Sequence, residues 1–461
     1  MSYGSVIAAI STPSGKGGVA LIRISGVGAI EIASKVFLPK SKKPLTEIPS
    51  RTQVYGDIMR RGEIIDDGMA TVFRAPASYT GEDTVEISCH GGMLITKRVL
   101  EAVLLSGATL ADKGEFTQRA FINGKLSLTD AETIGNLLEA KSDGQIKLAN
   151  GSAREKLFLA IDEIRSDVKS LLASIFARID YPDEDLGEFT NEETLAYLKN
   201  ARNKISRLIS TYPTSRAINE GIPTAICGKP NVGKSSLYNL ILGEDAAIVT
   251  DIKGTTRDVL SSEVTLGEVL LRISDTAGVR NKEKADTVEK IGIERSIGAI
   301  RSAELIIAVF DGSSEADSDD KLLLSHLSES NAVKIALLNK CDLGCAFSEK
   351  LTGFDAVCEI SVHERADESR EALSKIVSSL FIDERIRIGE DAILTSARQS
   401  VALTEALEYI DAAISAIKSG EFTDAAASEI ELALGKLSEL DGRAVAEEVL
   451  GEIFSKFCVG K

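Results

Sequence analysis

Positive charge is what this sequence has too little of. Lys and Arg number 53 against 70 Asp and Glu, which leaves a net charge of −17 over 461 residues. Nonspecific binding of nucleic-acid backbones needs clustered cations, so this balance argues against a broad basic surface. Any RNA contact must be local or supplied by a partner. Cysteine is sparse as well, and its six positions (89, 227, 341, 345, 358 and 458) are dispersed. That usage suits reduced thiols in a cytosolic protein rather than a disulfide framework. Cys341 and Cys345 lie near each other, but His363 is the only histidine close by, so the pair reads as free thiols rather than a metal site. No uninterrupted run reaches the roughly 18 apolar residues of a membrane helix. The first residues carry no charged-then-apolar signal pattern, so a cytoplasmic protein with no membrane segment is expected. There is no long repeat and no low-complexity stretch. The length allows two or three domains with substantial cores.

What is present centres on residues 224–258. Thr224-Ala225-Ile226-Cys227 is an apolar run of strand length, followed by Gly228-Lys229-Pro230-Asn231-Val232-Gly233-Lys234-Ser235. Ser236-Leu237-Tyr238-Asn239-Leu240-Ile241-Leu242 then has helical spacing. Strand, glycine loop, Lys-Ser and helix make a P-loop in its proper context. Gly228 and Gly233 let backbone N–H groups turn onto phosphate oxygens at a helix N-terminus. Lys234 would neutralise β- and γ-phosphates, and Ser235 would place its hydroxyl on Mg²⁺.

Two further motifs follow in order. Leu270-Leu271-Arg272-Ile273-Ser274 reads as a strand delivering Asp275-Thr276-Ala277-Gly278, a carboxylate for the Mg²⁺ shell and a glycine N–H for the γ-phosphate. Strands at 305–310 and 334–338 come next, the second ending at Asn339-Lys340-Cys341-Asp342. A carboxylate at Asp342 accepts two hydrogen bonds from the guanine edge, which adenine cannot donate in that arrangement, so the nucleotide is GTP. Val279 follows Gly278, and an apolar side chain cannot orient the attacking water, so another residue must. Between the loop and Asp275 lies Ile248-Val249-Thr250-Asp251-Ile252-Lys253-Gly254-Thr255-Thr256-Arg257-Asp258, where a threonine can complete the Mg²⁺ shell.

Elsewhere the texture is mixed and then helical. Val6-Ile10 and Val19-Ile24 read as strands, 29–37 as a helix, 38–44 as a solvated basic loop and Thr84-His90 as a strand. Cys89-His90 has no second pair to make it a metal site, and reads as strand-end packing. Thr129-Asp130-Ala131-Glu132 reads as a capping start, with Ile134, Leu137 and Leu138 on one face. Ile161, Ile164, Val168, Leu171, Leu172 and Ile175 keep the spacing of a long amphipathic helix. An acidic break at 180–185, a helix over about 190–211, and helices over 393–418 and 424–441 complete the pattern.

The chain as a whole resembles the MnmE (TrmE) family of tRNA-modification GTPases. Arg119-Ala120-Phe121-Ile122-Asn123-Gly124-Lys125-Leu126 and the terminal Phe457-Cys458-Val459-Gly460-Lys461 carry the most specific likeness, with Val459 where the family usually has isoleucine. The resemblance implies a multidomain fold of α+β and α/β type. Residues 1–122 would be an α+β tetrahydrofolate-binding-like domain that dimerises, 221–380 an inserted Ras-like P-loop G domain, and 123–220 with 381–461 a discontinuous all-α domain. It further implies K⁺ held by Asn231, Thr250, Ile252 and Thr255, Mg²⁺ held by Ser235 and Thr256, and Glu289 as the water-orienting carboxylate beside the catalytic Lys234. The implied GTP site comprises Asn231, Val232, Gly233, Lys234, Ser235, Ser236, the run from Thr250 through Asp251, Ile252, Lys253, Gly254 and Thr255 to Thr256, Asp275, Thr276, Ala277, Gly278, Asn339, Lys340 and Asp342. Ser361-Val362 stands where relatives carry Ser-Ala at the guanine loop. Arg23, Glu86, Lys125 and Lys461 match folate-contacting positions for a 5-formyl- or 5,10-methylene-tetrahydrofolate, and Cys458 is the candidate reactive thiol. Implied partners are a second copy, an MnmG-type FAD-binding protein in a heterotetramer, and tRNA, whose wobble uridine would receive a (carboxymethyl)aminomethyl group at C5.

Two other readings compete. A ribosome-assembly switch GTPase shares the G-domain motifs but would bring a basic RNA-binding module that is not evident here. A scaffold with a vestigial nucleotide site conflicts with intact Lys234, Ser235, Asp275 and Asp342.

Overall fold

The computed structural model describes residues 4–180, 191–243, 261–274, 300–419, 423–440, 447–455, 457 and 459–460. They fall into two compact units, 1–138 with 434–461, and 139–433.

In the first unit β1 (Ile7–Ile10), β2 (Val19–Ser25), β3 (Phe37–Pro39), β4 (Thr52–Arg60), β5 (Glu63–Phe73), β6 (Thr84–His90) and β7 (Thr109–Leu110) form one sheet. Its seven strands run in the order β3-β4-β5-β6-β2-β1-β7. Arg61 and Gly62, with φ of 53° and 85°, make the primed two-residue turn that β4 and β5 need to pair with the usual twist. Period-two alternation then sorts the faces. Ala8, Ile22, Ile24, Val85 and Ile87 point to a core completed by the helices Ala29–Val36 and Met93–Leu105. Ile7 and Ala9 point the other way and meet Phe116 of the helix Glu115–Ile122. The C-terminal segment belongs to this unit: Phe454 and Phe457 pack with Leu128 and Ala131.

Several local expectations change here. The expected loop at 38–44 begins inside β3, and Lys40 donates to Asp57 at 2.7 Å, so its charge is spent within the fold. The cap of the helix Leu128–Glu139 is Ser127, two residues before the expected one at Thr129. Ser127 Oγ accepts from the Asp130 N–H at 3.1 Å while Asp130 Oδ2 accepts from the Ser127 N–H at 2.8 Å, which is a capping box. Leu137 and Leu138 are 46% and 47% exposed, and the buried face is Leu128, Thr129, Ala131 and Thr133 instead.

The second unit joins a helical part to a second sheet. The stripe Ile161, Ile164, Val168, Leu171, Leu172 and Ile175 is buried along the helix Gly151–Asp180, as the spacing predicts. Lys204 on the helix Asn191–Ile209 reaches Glu163 and Asp167 at 2.8 Å, and Arg202 reaches Asp411 on the helix Ala397–Ser419 at 2.6 Å. The single expected helix over 190–211 stops at Ile209, and a separate helix, Tyr212–Asn219 with Pro213 in its first turn, leads into the sheet.

That sheet comprises β8 (Ile222–Cys227), β9 (Ser261–Leu266), β10 (Val269–Ser274), β11 (Leu305–Asp311), β12 (Val333–Asn339) and β13 (Ala356–Glu359), in the order β13-β12-β11-β8-β10-β9. All pairings are parallel except β9 with β10. Helices cover both faces, so β11 reads as a continuous apolar run. Leu305, Ile307 and Val309 join the core under Leu373 and Val377 of the helix Ala366–Phe381, whereas Ile306, Ala308 and Phe310 join the one containing Leu327 of the helix Ser318–Ser328. Where the chain enters and leaves this sheet, polar pins hold it. Thr214 Oγ1 accepts from the Asp383 N–H and Thr211 Oγ1 from the Leu394 N–H, each at 3.1 Å, above a cluster of Leu148, Ile218 and Ile393. Among the described residues no helix is long and apolar enough to cross a membrane.

Candidate functional site

In a parallel sheet covered on both faces, loops at the carboxyl ends of the strands form the natural ligand crevice. Residues 228–233 follow β8, and Lys340 follows β12. Gly233 has φ of 104° and caps the helix Lys234–Leu242 without any side-chain hydrogen bond, leaving the first-turn N–H groups open to an anion. A Cβ on Gly233 would meet Asn339 Nδ2 at 2.2 Å, and one on Gly228 would meet the Val309 carbonyl at 2.3 Å. Both glycines are therefore required by close approach, and the loop is a cradle fitted to phosphate. Lys234 Nζ donates to the carbonyls of Gly228 and Lys229 at 2.7 Å, and burial holds its ammonium below the usual lysine range. The strand-end thiol of Cys227 is buried and pushed up to about 12, too high for thiolate chemistry.

The loop is braced from outside by a group that sequence reasoning missed. Lys229 Nζ pairs with Asp317 at 2.8 Å and Asp320 at 2.7 Å. Burial works against this ammonium, but the two carboxylates outweigh it and raise its pKa. Lys229 in turn, followed by the helix N–H groups of Asp320 and Asp319, draws Asp317 down to about 2. Asp317 and Asp320 also form a capping box on the helix Ser318–Ser328. Asp317-Ser318-Asp319-Asp320 was the available signal, since an Asp followed three residues later by another is near the capping-box pattern.

Asn339 links the loop to the base-side segment. Its buried Nδ2 donates to the Val232 carbonyl at 2.8 Å, and its Oδ1 accepts from the Val362 N–H at 3.2 Å. Lys340, with φ of 64°, reaches Asp311 at 2.6 Å. Asp342 is exposed in the short turn Cys341–Leu343. Asn231, Ser235 and Ser236 lie on or beside the same loop, Asn231 and Ser235 exposed. The run from Thr250 to Thr256, Asp275 to Gly278, Glu289, Cys458 and Lys461 lie outside the described residues.

The first unit carries the second constellation. Arg23 and Glu86 face each other across β2 and β6, with Arg23 Nε and Nη2 on Glu86 Oε1 at 2.9 and 2.8 Å. The guanidinium lies 5.2 Å from the Tyr79 ring centre and 5.6 Å from that of Phe116, an arrangement not visible in the sequence. Lys125 Nζ donates to the Pro76 carbonyl at 3.0 Å, and Asn123 Nδ2 to the Thr80 carbonyl at 2.8 Å, so both organise the segment that carries Tyr79. Arg119 is 2% exposed and binds Glu82, Glu115 and the Ser5 carbonyl. The described tail reaches the same sheet: Gly460 accepts from Ser11 Oγ at 2.9 Å, next to β1, whose Ala9 is the register partner of Arg23.

Comparison with known proteins agrees from end to end. A profile described as GTP-binding protein TrmE N-terminus matches residues 6–125, and one described as MnmE helical domain matches residues 128–458. A protein of Carboxydothermus hydrogenoformans named tRNA modification GTPase MnmE is 40% identical over 462 residues, covering 99% of each chain. Another of the same name from Thermotoga sp. strain RQ2 is 38% identical over 457 residues, again covering 99% of each. A crystal structure of Era in complex with MgGDPNP and nucleotides 1506–1542 of 16S ribosomal RNA overlays with a TM-score of 0.27 at 24% identity, covering 40% of this chain and 65% of that one, too slight an overlap to weigh. Two profiles that between them run from residue 6 to 458, and relatives at this identity over nearly the whole length, settle the assignment: the chain belongs to the MnmE family of tRNA modification GTPases.

Proposed function

We propose that the chain is a K⁺- and Mg²⁺-dependent GTP hydrolase that acts in the cytoplasm on the wobble uridine of certain tRNAs. It works as a homodimer with an FAD-binding partner of the MnmG type in a heterotetramer, and the product is a (carboxymethyl)aminomethyl group at C5. The one-carbon unit comes from a tetrahydrofolate derivative held by the N-terminal unit. The observation that carries the reading is Asn339, which joins a phosphate cradle to a guanine-type loop in a chain that aligns throughout with tRNA modification GTPases.

Within it each residue has a task. Lys234 exchanges the Gly228 and Lys229 carbonyls for β- and γ-phosphate oxygens, a half-buried cation placed where charge develops. Ser235 and Thr256 would hold Mg²⁺, and Asn231, Thr250, Ile252 and Thr255 would hold K⁺; the two cations supply neutralisation of the phosphate charge when bound. Glu289 orients the attacking water, because Val279 cannot. Ser236, Asp275, Thr276, Ala277 and Gly278 complete the phosphate side, and Asp342 reads guanine with Lys340 supporting it. Arg23 and Glu86 offer a cation and a carboxylate edge to a reduced folate, with Lys125 and Lys461 suited to its glutamate tail. The nucleotide sheet, spanning about 221–380, is inserted between 123–220 and 381–461, with the pins at Thr211 and Thr214 closing the insertion point.

GTP turnover in KCl and in NaCl, for wild type and Asn231→Ala, tests the reading. K⁺ should stimulate the wild type about tenfold or more, equivalent to about 1.4 kcal/mol in the barrier, and Asn231→Ala should remove that stimulation. Equal rates in both salts would sink the cation assignment. Binding of 5-formyl-tetrahydrofolate, weakened by Glu86→Gln, separates this function from a ribosome-assembly switch, which has no use for a folate.

A further inference from the structure

Cys341 and Cys345 are separated by three residues, a spacing within the C-x₂₋₄-C range of zinc knuckles. Sequence alone offered only His363 as a third ligand. The fold delivers another residue: the Sγ atoms of Cys341 and Cys345 and a carboxylate oxygen of Glu359 lie within 4.8 Å of one another, with Cys345 Sγ 3.8 Å from Glu359 Oε2.

The backbone explains the convergence. After β12 the chain makes the turn Cys341–Leu343, where the Leu343 N–H donates to the Lys340 carbonyl at 3.0 Å and the Gly344 N–H to the Cys341 carbonyl at 3.3 Å. Gly344, at φ 124°, reverses the chain and returns Cys345 toward the edge strand β13, whose last residue is Glu359. The Cys341 N–H, bonded to the Ile360 carbonyl at 3.2 Å, fixes the loop to the end of that strand.

We propose that Cys341, Cys345 and Glu359 form a binding site for a thiophilic divalent cation of the zinc type. Tetrahedral coordination with metal–sulfur bonds of about 2.3 Å and metal–oxygen bonds of about 2.1 Å places ligand atoms roughly 3.5–3.8 Å apart. Side-chain rotations that move the ligand atoms by about 1 Å bring the trio to that spacing. Two sulfurs and one carboxylate favour a borderline-soft ion over Mg²⁺ or Ca²⁺, and the exposure of Cys345 and Glu359 leaves a fourth position to water. The contrasting cluster of Asp66, Asp67 and His90 needs no ion. Asp66 already accepts from the His90 backbone N–H at 2.9 Å and bonds its ring nitrogen at 2.7 Å, and Asp67 accepts from Tyr55 at 2.7 Å. An ion at the cysteine site would clamp the loop carrying Lys340 and Asp342 to β13.

The test uses the full chain, freed of metal by a chelator and kept reduced by a phosphine, titrated with Co²⁺. The site should take up one Co²⁺ per chain with a thiolate-to-cobalt charge-transfer band, displaced by Zn²⁺. Cys345→Ser, an exposed change that leaves the core intact, should weaken uptake about tenfold or more, whereas Cys358→Ser, on the same edge strand but outside the trio, should not. A guanine-nucleotide titration of each variant verifies that it is folded. Absence of the band in reduced wild type overturns the proposal, as does a band that survives Cys345→Ser at unchanged affinity.

Discussion

Lys229 shows how far a phosphate loop is held by what lies outside it. Its backbone carbonyl receives Lys234, while its ammonium is anchored by Asp317 and Asp320 at the start of a neighbouring helix. Asp320 is 1% exposed and its Oδ1 has no hydrogen-bond partner among the described residues, so its partners act through Oδ2, which accepts from Lys229 Nζ and from the Asp317 N–H. The Asp317 carboxyl is drawn from 3.8 down to about 2, chiefly by Lys229. A depressed carboxyl contributes stability that is fully present above its unfolded value and is lost as pH falls through its folded value. The window for Asp317 is therefore from about pH 4 down to about pH 2. Asp317→Asn retains a good helix cap but removes the charge, so it should be less stable than wild type at pH 5 to 7, with the gap closing as pH falls from about 4 toward about 2. Urea denaturation across that range reads the difference; a gap independent of pH would remove the ion pair from the account.

Elements were legible where periodicity and local chemistry agreed. The stripe from Ile161 to Ile175 and the strands around the glycine loop were readable because burial there follows a single period. The start of the helix Leu128–Glu139 was misplaced, since two overlapping polar pairs offset by two residues, Ser127-Asp130 and Thr129-Glu132, both fit a cap. Tertiary contact chose between them: Thr129 is buried, with its hydroxyl on the Leu440 carbonyl at 2.9 Å, and cannot serve as the exposed first cap. Leu137 and Leu138 have the spacing of a core face, but spacing does not say where a packing partner ends. Lys229, Glu359 and Tyr79 were unreadable for another reason, because their partners are distant in sequence and only the fold brings them together. Ser127→Ala should cost about 1 kcal/mol and lower the melting temperature of the first unit by roughly 2–4 °C. A melt unchanged by that substitution would mean the helix is held by packing alone.

At the scale of the molecule, the C-terminal segment completes a unit that the N-terminal residues begin. Phe454 is 2% exposed, with its ring centre 6.3 Å from Phe121 and 5.9 Å from Phe457. Val459 bridges Lys113, and Gly460 fits so closely that a Cβ there would stand 2.2 Å from the Ile10 carbonyl. Residues hundreds of positions apart thus share one core, and Gly460 lies on Ser11 beside β1, whose Ala9 is the register partner of Arg23. Deleting the Phe454 ring leaves a cavity that neighbouring aromatic rings cannot fill without leaving their own contacts, so Phe454→Ala should cost about 3–5 kcal/mol. The loss should fall on the first unit: its unfolding transition moves to lower temperature and 5-formyl-tetrahydrofolate binding weakens, while GDP affinity in the second unit at 25 °C stays within twofold of wild type. The two affinities measured on one preparation discriminate sharply. If GDP binding fell in step with folate binding, the tail would be supporting the whole chain rather than the unit it packs into.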